Sequence, residues 1–492
     1  MKKSSRIKAS HVNTGTAVSG RKQGNFRKGR ALRHPRLLAE VESSETTAYG
    51  GLALAATAVK TLELPRRIDK SLSLLKQHRP YTESDHVLTH VYNLFLGGSA
   101  IEDINNLQCS EPVKRVLGAE QICDPTSAGD FLRRFNPESI EALDRITDET
   151  HRLVWRKAYG KRKRKECFLD LDSHVHEIYG SQKQGADFSY TGKYGFHPLI
   201  ASLGGTQEVL RIVNRSGNRP SAEGAVELVE ELIPFLSKSF RKVIVRGDSA
   251  FAIREIYDTC EENEQFFAIV SPQERGFLEL AELIPARKWR SLKEKKVATA
   301  KKKRRRGKNR RRAVARARGK RDLKLQKEWI TEIPYTPFRS EHDFRLIIRK
   351  QKIEESNQKE LFTRYRFRYV VTNLPQSYSS EAALRLTYRR ADQENVIEQL
   401  QNGISAMKMP CQTFIANSAY LACARLAHNL KAWLAMLALP AEAMRWEWKR
   451  FRLSFIYLAA RVVKKSRQTI VRFADSHRFA RAAALGIAKL NI

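Results

Sequence analysis

The feature that most restricts the fold lies between residues 166 and 272, where the hydrophobic period of the chain switches repeatedly. "ECFLDLDSHV", "YGFHPLIASLG" and "EVLRIVNRSGN" carry strand-like runs separated by Gly and Asn. "SAEGAVELVEELIPFLSKSF" then follows helical spacing, "KVIVRGD" reads as a strand, "FAIREIYDTCEEN" as a helix and "QFFAIVSP" as a strand. Three strands, helix, strand, helix, strand predicts a mixed α/β unit rather than a bundle or a sandwich.

The rest of the chain divides around that unit. Residues 1–45 read as a basic flexible arm, and 46–165 as helices with clear punctuation, for which reading DNA ends and generic helical packing are equal alternatives. "YTESDHVLTHVYNLFLGG" has Thr82 and Ser84 as cap candidates and stops at Gly97-Gly98, and "SAIEDINNL" opens with a Ser99/Glu102 capping box. Residues 166–272 are the first part of an α/β core. Residues 273–365 interrupt it with a basic, β-rich insertion whose flanks, "KEWITEIPYTPF" and "DFRLIIRKQKIEE", read as strands of an inserted sheet. Residues 366–410 complete the core, with the strand "RYRFRYVVTNLP" leading in and a long helix expected over 380–407. Residues 411–492 are Ala/Leu-rich and predict helices.

Charge decides the class of partner. Ninety Lys and Arg against 53 acids give a formal net charge of +37 and favour a polyanion. Nucleic acid is the default, because phosphate contacts release counterions. The first 38 residues hold eleven cations, no acid and no apolar core, so they do not read as a signal peptide. No apolar run is long enough to span a bilayer, and the six scattered cysteines include no C-x-x-C pair, which fits a cytoplasmic protein. The run "KKKRRRGKNRRRAVARARGKR" (301–321), beginning Lys301, Lys302, Lys303, Arg304, Arg305 and Arg306, contains no acid and suits phosphate contact without sequence readout.

A polyanion-binding chain that also gathers carboxylates invites a metal. In "FLDLDSH", Phe168, Asp170 and Asp172 alternate to one face of a strand. Asp248 ends "VIVRGD", and ligands of α/β sheets collect at the carboxyl ends of strands. In "LTYRRADQENVIEQLQNG", helical spacing sets Thr387, Arg390, Glu394, Ile397, Glu398 and Gln401 on one face. Glu394 is the preferred third acid and Glu398, one turn on, its rival. Three carboxylates in one cleft repel one another unless divalent cations neutralise them. Two Mg²⁺ ions about 3.5–4 Å apart would activate water or a 3′-hydroxyl and steady the leaving oxygen. Arg215, Asn218 and Arg246 flank this mouth as candidate phosphate contacts, with turn and surface roles as the alternative.

These stretches resemble the DDE transposases of bacterial insertion sequences, in particular the insertion-sequence-1380 branch of the cut-and-paste group. The resemblance rests on "LDLDSHVHEIYGSQ", "YGFHPL", "LRIVNRSGNRPSAEGA", "VRGDSAF", "YRFRYVVTNL" and "RRADQENVIEQL", and spans roughly residues 46–475. It implies an RNase H-like mixed sheet flanked by helices and interrupted by a β-rich insertion. It maps the metal-binding catalytic acids to Asp172, Asp248 and Glu394, with Asp170 a neighbour, and a DNA-contacting arginine to Arg390. The family's Tyr and Lys near the reacting phosphate fall on Thr387, with Tyr388 shifted by one, and on Gln401. Trp329 lies in the insertion, where relatives hold an extruded base. His174 stands where relatives commonly carry Thr; packing is the simpler role for it and for His176.

The implied activity is cutting and rejoining the ends of the chain's own element, with Mg²⁺ or Mn²⁺ and a hairpin intermediate. The implied partners are double-stranded DNA, both the terminal inverted repeats and the target, held by a homodimer, with no membrane and a nucleoid-associated location. The competing expectations are a decayed end-binding protein and a nuclease of the same fold that joins no strands.

Overall fold

A computed structural model describes residues 6–7, 39–40, 45–180, 182–292, 323–355, 364–466 and 468–491. Most of the 1–45 arm and all of the 301–321 run, Lys301 to Arg306 included, lie outside the described residues.

The alternation over 166–272 becomes the middle of one nine-stranded sheet. Its strands are β1 (Cys167–Ser173), β2 (Leu199–Leu203), β3 (Val209–Val213), β4 (Val243–Arg246), β5 (Phe266–Ser271), β6 (Arg290–Ser291), β7 (Leu323–Tyr335), β8 (Phe344–Glu355) and β9 (Arg364–Thr372). Across the sheet they run β6-β7-β8-β9-β5-β4-β1-β2-β3. β1, β2 and β3 form an antiparallel meander, whereas β4 lies parallel to both β1 and β5, reached through helical crossovers.

Strand periodicity sorts the side chains onto two faces. Leu169, Leu171, Val243 and Val245 are fully buried on the face covered by α3 (Ala225–Ser237) and α4 (Arg254–Glu262), numbered after the helices α1 (Glu83–Leu96) and α2 (Pro137–Tyr159). Ile244, Ala268 and Val370 pack on the opposite face beneath Ala383 and Leu384 of α5 (Ser380–Tyr388). Phe168, Asp170 and Asp172 belong to that second face, so whatever follows α5 passes over the acids.

Three features depart from the sequence reading. The insertion strands β7 and β8 do not make a sheet of their own, because β9 pairs with both β8 and β5 and welds them to the core. The single helix expected over 380–407 breaks at Arg389-Arg390: α5 stops, α6 (Ala391–Glu398) starts, and a wider π turn spans Gln399–Gly403. Its residues therefore do not share one face; Thr387 is buried and bonded back to the Ala383 carbonyl, while Glu394 is exposed. Finally, the C-terminal region includes a hairpin, β10 (Ala460–Lys465) and β11 (Gln468–Phe473), whose first strand also pairs with Thr46–Thr47.

The N- and C-terminal helices share one apolar core although several hundred residues separate them. α1 begins at a Thr82/Asp85 capping box, ends at Gly97 (φ 104°) and packs with α2 against α7 (Phe414–Leu437). This helical body is pinned to the sheet by Glu208 in the β2–β3 turn, which is fully buried. Glu208 accepts the indole N–H of Trp155 (3.0 Å) and of Trp433 (3.1 Å) and meets His151 Nδ1 at 2.8 Å. A buried carboxylate is tolerable only with such a set of donors. Among the described residues no helix is long and apolar enough to cross a membrane.

Candidate active site

Parallel pairing of β1 with β4 fixes the first two acids. Asp170 lies opposite Arg246 in the ladder, so Asp172 and Asp248, each two residues further along, leave the carboxyl ends of neighbouring strands together. Asp248 caps a short turn, accepting the Ala250 N–H at 2.9 Å, and its side chain stays 44% exposed. Asp172 is only 14% exposed.

Arg390 stands between them. Its guanidinium lies 3.4 Å from Asp172 Oδ2 and 3.9 Å from Asp248 Oδ2, and donates to the Leu171 carbonyl. The break between α5 and α6 makes this reach possible, since the Arg390 carbonyl accepts the Gln393 N–H in a tight turn. Gln393 then clamps α6 to the sheet: its buried amide donates to the Asp170 carbonyl at 2.9 Å and the Ile200 carbonyl at 3.3 Å. Glu394, the next residue, is held over the same edge. Burial raises the Asp172 carboxyl to about 6, against the pull of Arg390; Asp248 and Glu394 add repulsion. Asp172 thus lies within electrostatic reach of both other acids.

Asp170 plays a different part. It takes a bidentate pair from Arg246, with both contacts at 2.6 Å, and both residues are almost wholly buried. The Arg246 guanidinium also covers the Phe168 ring at 4.6 Å and donates to the Leu386 carbonyl. Gly204 is needed beside it, because a Cβ there would meet Arg246 Nη2 at 2.5 Å and Asp170 Oδ2 at 2.9 Å.

The other candidates scatter. Arg246 has its donors committed inside the protein, and Arg215 is buried, donating to the carbonyls of His197 (2.9 Å) and Pro220 (3.1 Å) while its Nη2 is buried without a partner. Neither guanidinium faces solvent for a phosphate, and burial lowers the Arg215 pKa to about 10. Asn218 sits in an exposed turn and donates to Asp187 at 2.6 Å. Gln401 is half-buried and lies near His174; burial lowers the pKa of His174, and that of His176 to about 4. Trp329 lies on β7, half-buried, its ring edge-on to Tyr365 at 6.3 Å. Five strand spacings separate β7 from β1, roughly 24 Å, so Trp329 is not part of this mouth. At the shifted tyrosine position, Thr387 is buried and Tyr388 is the exposed residue, with Arg349 over its ring at 5.6 Å.

Sequence reasoning overlooked Gln393. Its position beside Glu394 on a helix that must cross a strand edge was the available signal, but an exposed amide would look identical. As donors, Asp172, Asp248 and Glu394 offer only hard oxygens, which fits Mg²⁺. Among the described residues, however, no three Asp, Glu, His or Cys side chains are close enough to enclose an ion.

Comparison with known proteins identifies a family. The family model described as transposase DDE domain group 1 matches residues 30–491. A solved structure, titled as the cryo-EM structure of the piggyBac transposase synaptic complex with hairpin DNA, aligns at 11% identity with a TM-score of 0.31. That alignment covers 90% of this chain and 85% of the other. No curated protein matches the chain.

Proposed function

Since the chain belongs to the transposase DDE domain family, group 1, we propose that it cuts the ends of its own mobile element and rejoins them to target DNA. The observation that carries this reading is the meeting of Asp172 and Asp248 at adjacent parallel strand ends, with Arg390 between them and Glu394 close enough to raise the Asp172 pKa. The order β3-β2-β1-β4-β5, a meander extended by two parallel strands, supports an RNase H-like core.

Asp172, Asp248 and Glu394 would hold two divalent ions, Mg²⁺ or Mn²⁺, which when bound supply activation of a water or 3′-hydroxyl and stabilisation of the leaving oxygen. The protein's own groups do the positioning. Asp170 and Arg246 stiffen the strand pair, Gln393 fixes the height of α6, and Arg390 offers a guanidinium to the phosphate that enters between the acids. The insertion-sequence-1380 affiliation, the hairpin intermediate, a homodimer on two terminal inverted repeats and a nucleoid location belong to the same proposal, on the residues quoted for the resemblance.

One observation favours the end-binding protein without catalysis. Gln401 stands where the family's Lys contacts DNA and carries no charge, and Thr387, where its Tyr does, is buried and bonded to the Ala383 carbonyl. The test is cleavage of DNA carrying the flanking terminal repeats, with Mg²⁺, by wild type, Asp248→Asn and Glu394→Gln. We expect the variants to lose at least about a thousand-fold in rate, about 4 kcal/mol of barrier, while still binding the repeats. Equal rates in all three would remove the catalytic reading, and cleavage without joining would select the nuclease.

A further inference from the structure

A second charged feature lies at the opposite end of the central sheet. A cavity of about 630 Å³ opens between the last turns of α2, the loop 160–164 and residues 238–240. Its lining includes eight Lys or Arg side chains and one acid, Glu149. That acid is already engaged by Arg67 at 2.9 Å. Arg152 and Arg156 project from α2 on the same face, the loop 161–164 reads KRKR, and Lys238 closes the far side. Among the described residues none of these seven cations has a carboxylate partner within ion-pair distance, and all are exposed.

The walls are built. Gly160 takes φ 83° at the end of α2, a turn that L side chains resist, and sends the chain back toward the sheet. Arg164 then enters a ladder, its N–H donating to the Ser239 carbonyl (3.0 Å) and its carbonyl accepting from Arg241 (2.9 Å). Its guanidinium lies 4.0 Å from the centre of the half-exposed Tyr159 ring. A helix carboxyl terminus carries about half a negative charge, far too little to balance seven cations. The cavity holds a positive field that only a ligand with several negative charges neutralises.

Resting on the reading that this chain acts on DNA, we propose that the cavity and its rim bind the phosphate backbone of duplex DNA, at a site separate from the acidic mouth. The seven residues of β1 run between them, so roughly 20 Å divide the cavity from Asp172. The lining is dominated by Lys and Arg, which contact phosphates rather than base edges, so binding here carries no sequence preference. A lone monophosphate would meet two or three of these cations; a backbone crossing the rim meets most of them.

The experiment measures binding of the full-length chain to a 40-bp duplex of arbitrary sequence, without divalent ions, from 50 to 200 mM KCl. Arg152→Ala/Arg156→Ala/Arg162→Ala/Lys163→Ala is compared with wild type and with Arg152→Lys/Arg156→Lys/Arg162→Lys. Loss of four phosphate contacts makes the slope of log affinity against log salt shallower by about 3 to 4 and lowers affinity at least about ten-fold at 50 mM, whereas the lysine variant keeps the wild-type slope. An unchanged slope and affinity in the alanine variant overturns the site while leaving the transposase reading intact. So does an equal loss in the lysine variant, which would make the contact one of shape. If wild type shows no salt-dependent duplex binding, the DNA reading itself fails and takes the cavity with it. Melting temperatures of all three proteins separate lost contacts from lost folding.

Discussion

The two ends of the central sheet treat charge in opposite ways. At the carboxyl ends of β1 and β4, Asp172 and Asp248 flank Arg390, with Glu394 within electrostatic reach of Asp172. At the amino ends, the cations of the 161–164 loop and α2 gather around one acid that is already paired. Midway, Asp170 and Arg246 form a bidentate pair out of water. The difference teaches that this sheet pairs its charges at its middle and leaves them unbalanced at its two ends. Both edges are left out of balance in opposite senses, one short of positive charge and the other short of negative. On the function proposed above, DNA with divalent ions would supply both.

The strongest way to break this comparison is at its midpoint. Asp170→Asn leaves Arg246 buried without its counter-charge, and we expect a loss of about 3 to 5 kcal/mol in denaturant unfolding. Asp170→Leu/Arg246→Met, which removes both charges, should cost markedly less. If the two variants unfold alike, the pair is not what holds the edges in register.

The acidic edge can be sharpened through pH. The folded chain holds a proton on Asp172 up to about pH 6, whereas an unfolded Asp releases it near 4. Between those values the folded state binds more protons, so stability falls as pH rises from about 4 to about 6 and stays lower above. With EDTA present, Asp172→Asn should be free of that loss and gain about 2 kcal/mol over wild type at pH 7. Parallel curves for the two proteins would mean that burial does not hold the Asp172 proton.

A smaller effect tests the packing between the edges. Gly204→Ala drives a methyl against Arg246 and Asp170, and we expect about 1 to 3 kcal/mol of destabilisation by thermal unfolding. A neutral outcome would show that the pair can yield without cost.

Much of the scaffold was legible in the chain. The strands of 166–272 have short, distinct periods bounded by Gly and Asn, and local sterics suffice to read them. Asp172 and Asp248 were legible for the same reason, each ending a clear strand. The α5–α6 break was not. "SEAALRLTYRRADQENVIEQLQNG" has no Pro or Gly at Arg389-Arg390, and the turn follows from the Arg390 contacts with Leu171 and Asp172, residues more than two hundred positions away. Arg215 and Arg246 misled for a related reason: a surface arginine and a buried one with carbonyl or carboxylate partners are the same letter. The union of β7 and β8 with the core sheet was hidden too, because edge pairing through β9 depends on which backbone donors are left open.

The sequence by itself determined the alternation of strands and helices, the excess of positive charge and the order of the three acids, since each is a matter of composition or short-range period. Only the tertiary structure decided which side chains share a cleft, that Arg390 stands between two aspartates, that Asp170 is spent on Arg246, and that the cations of α2 and the 161–164 loop surround a single cavity. Those are long-range facts, set by which strands lie parallel and which groups can be taken out of water only as pairs.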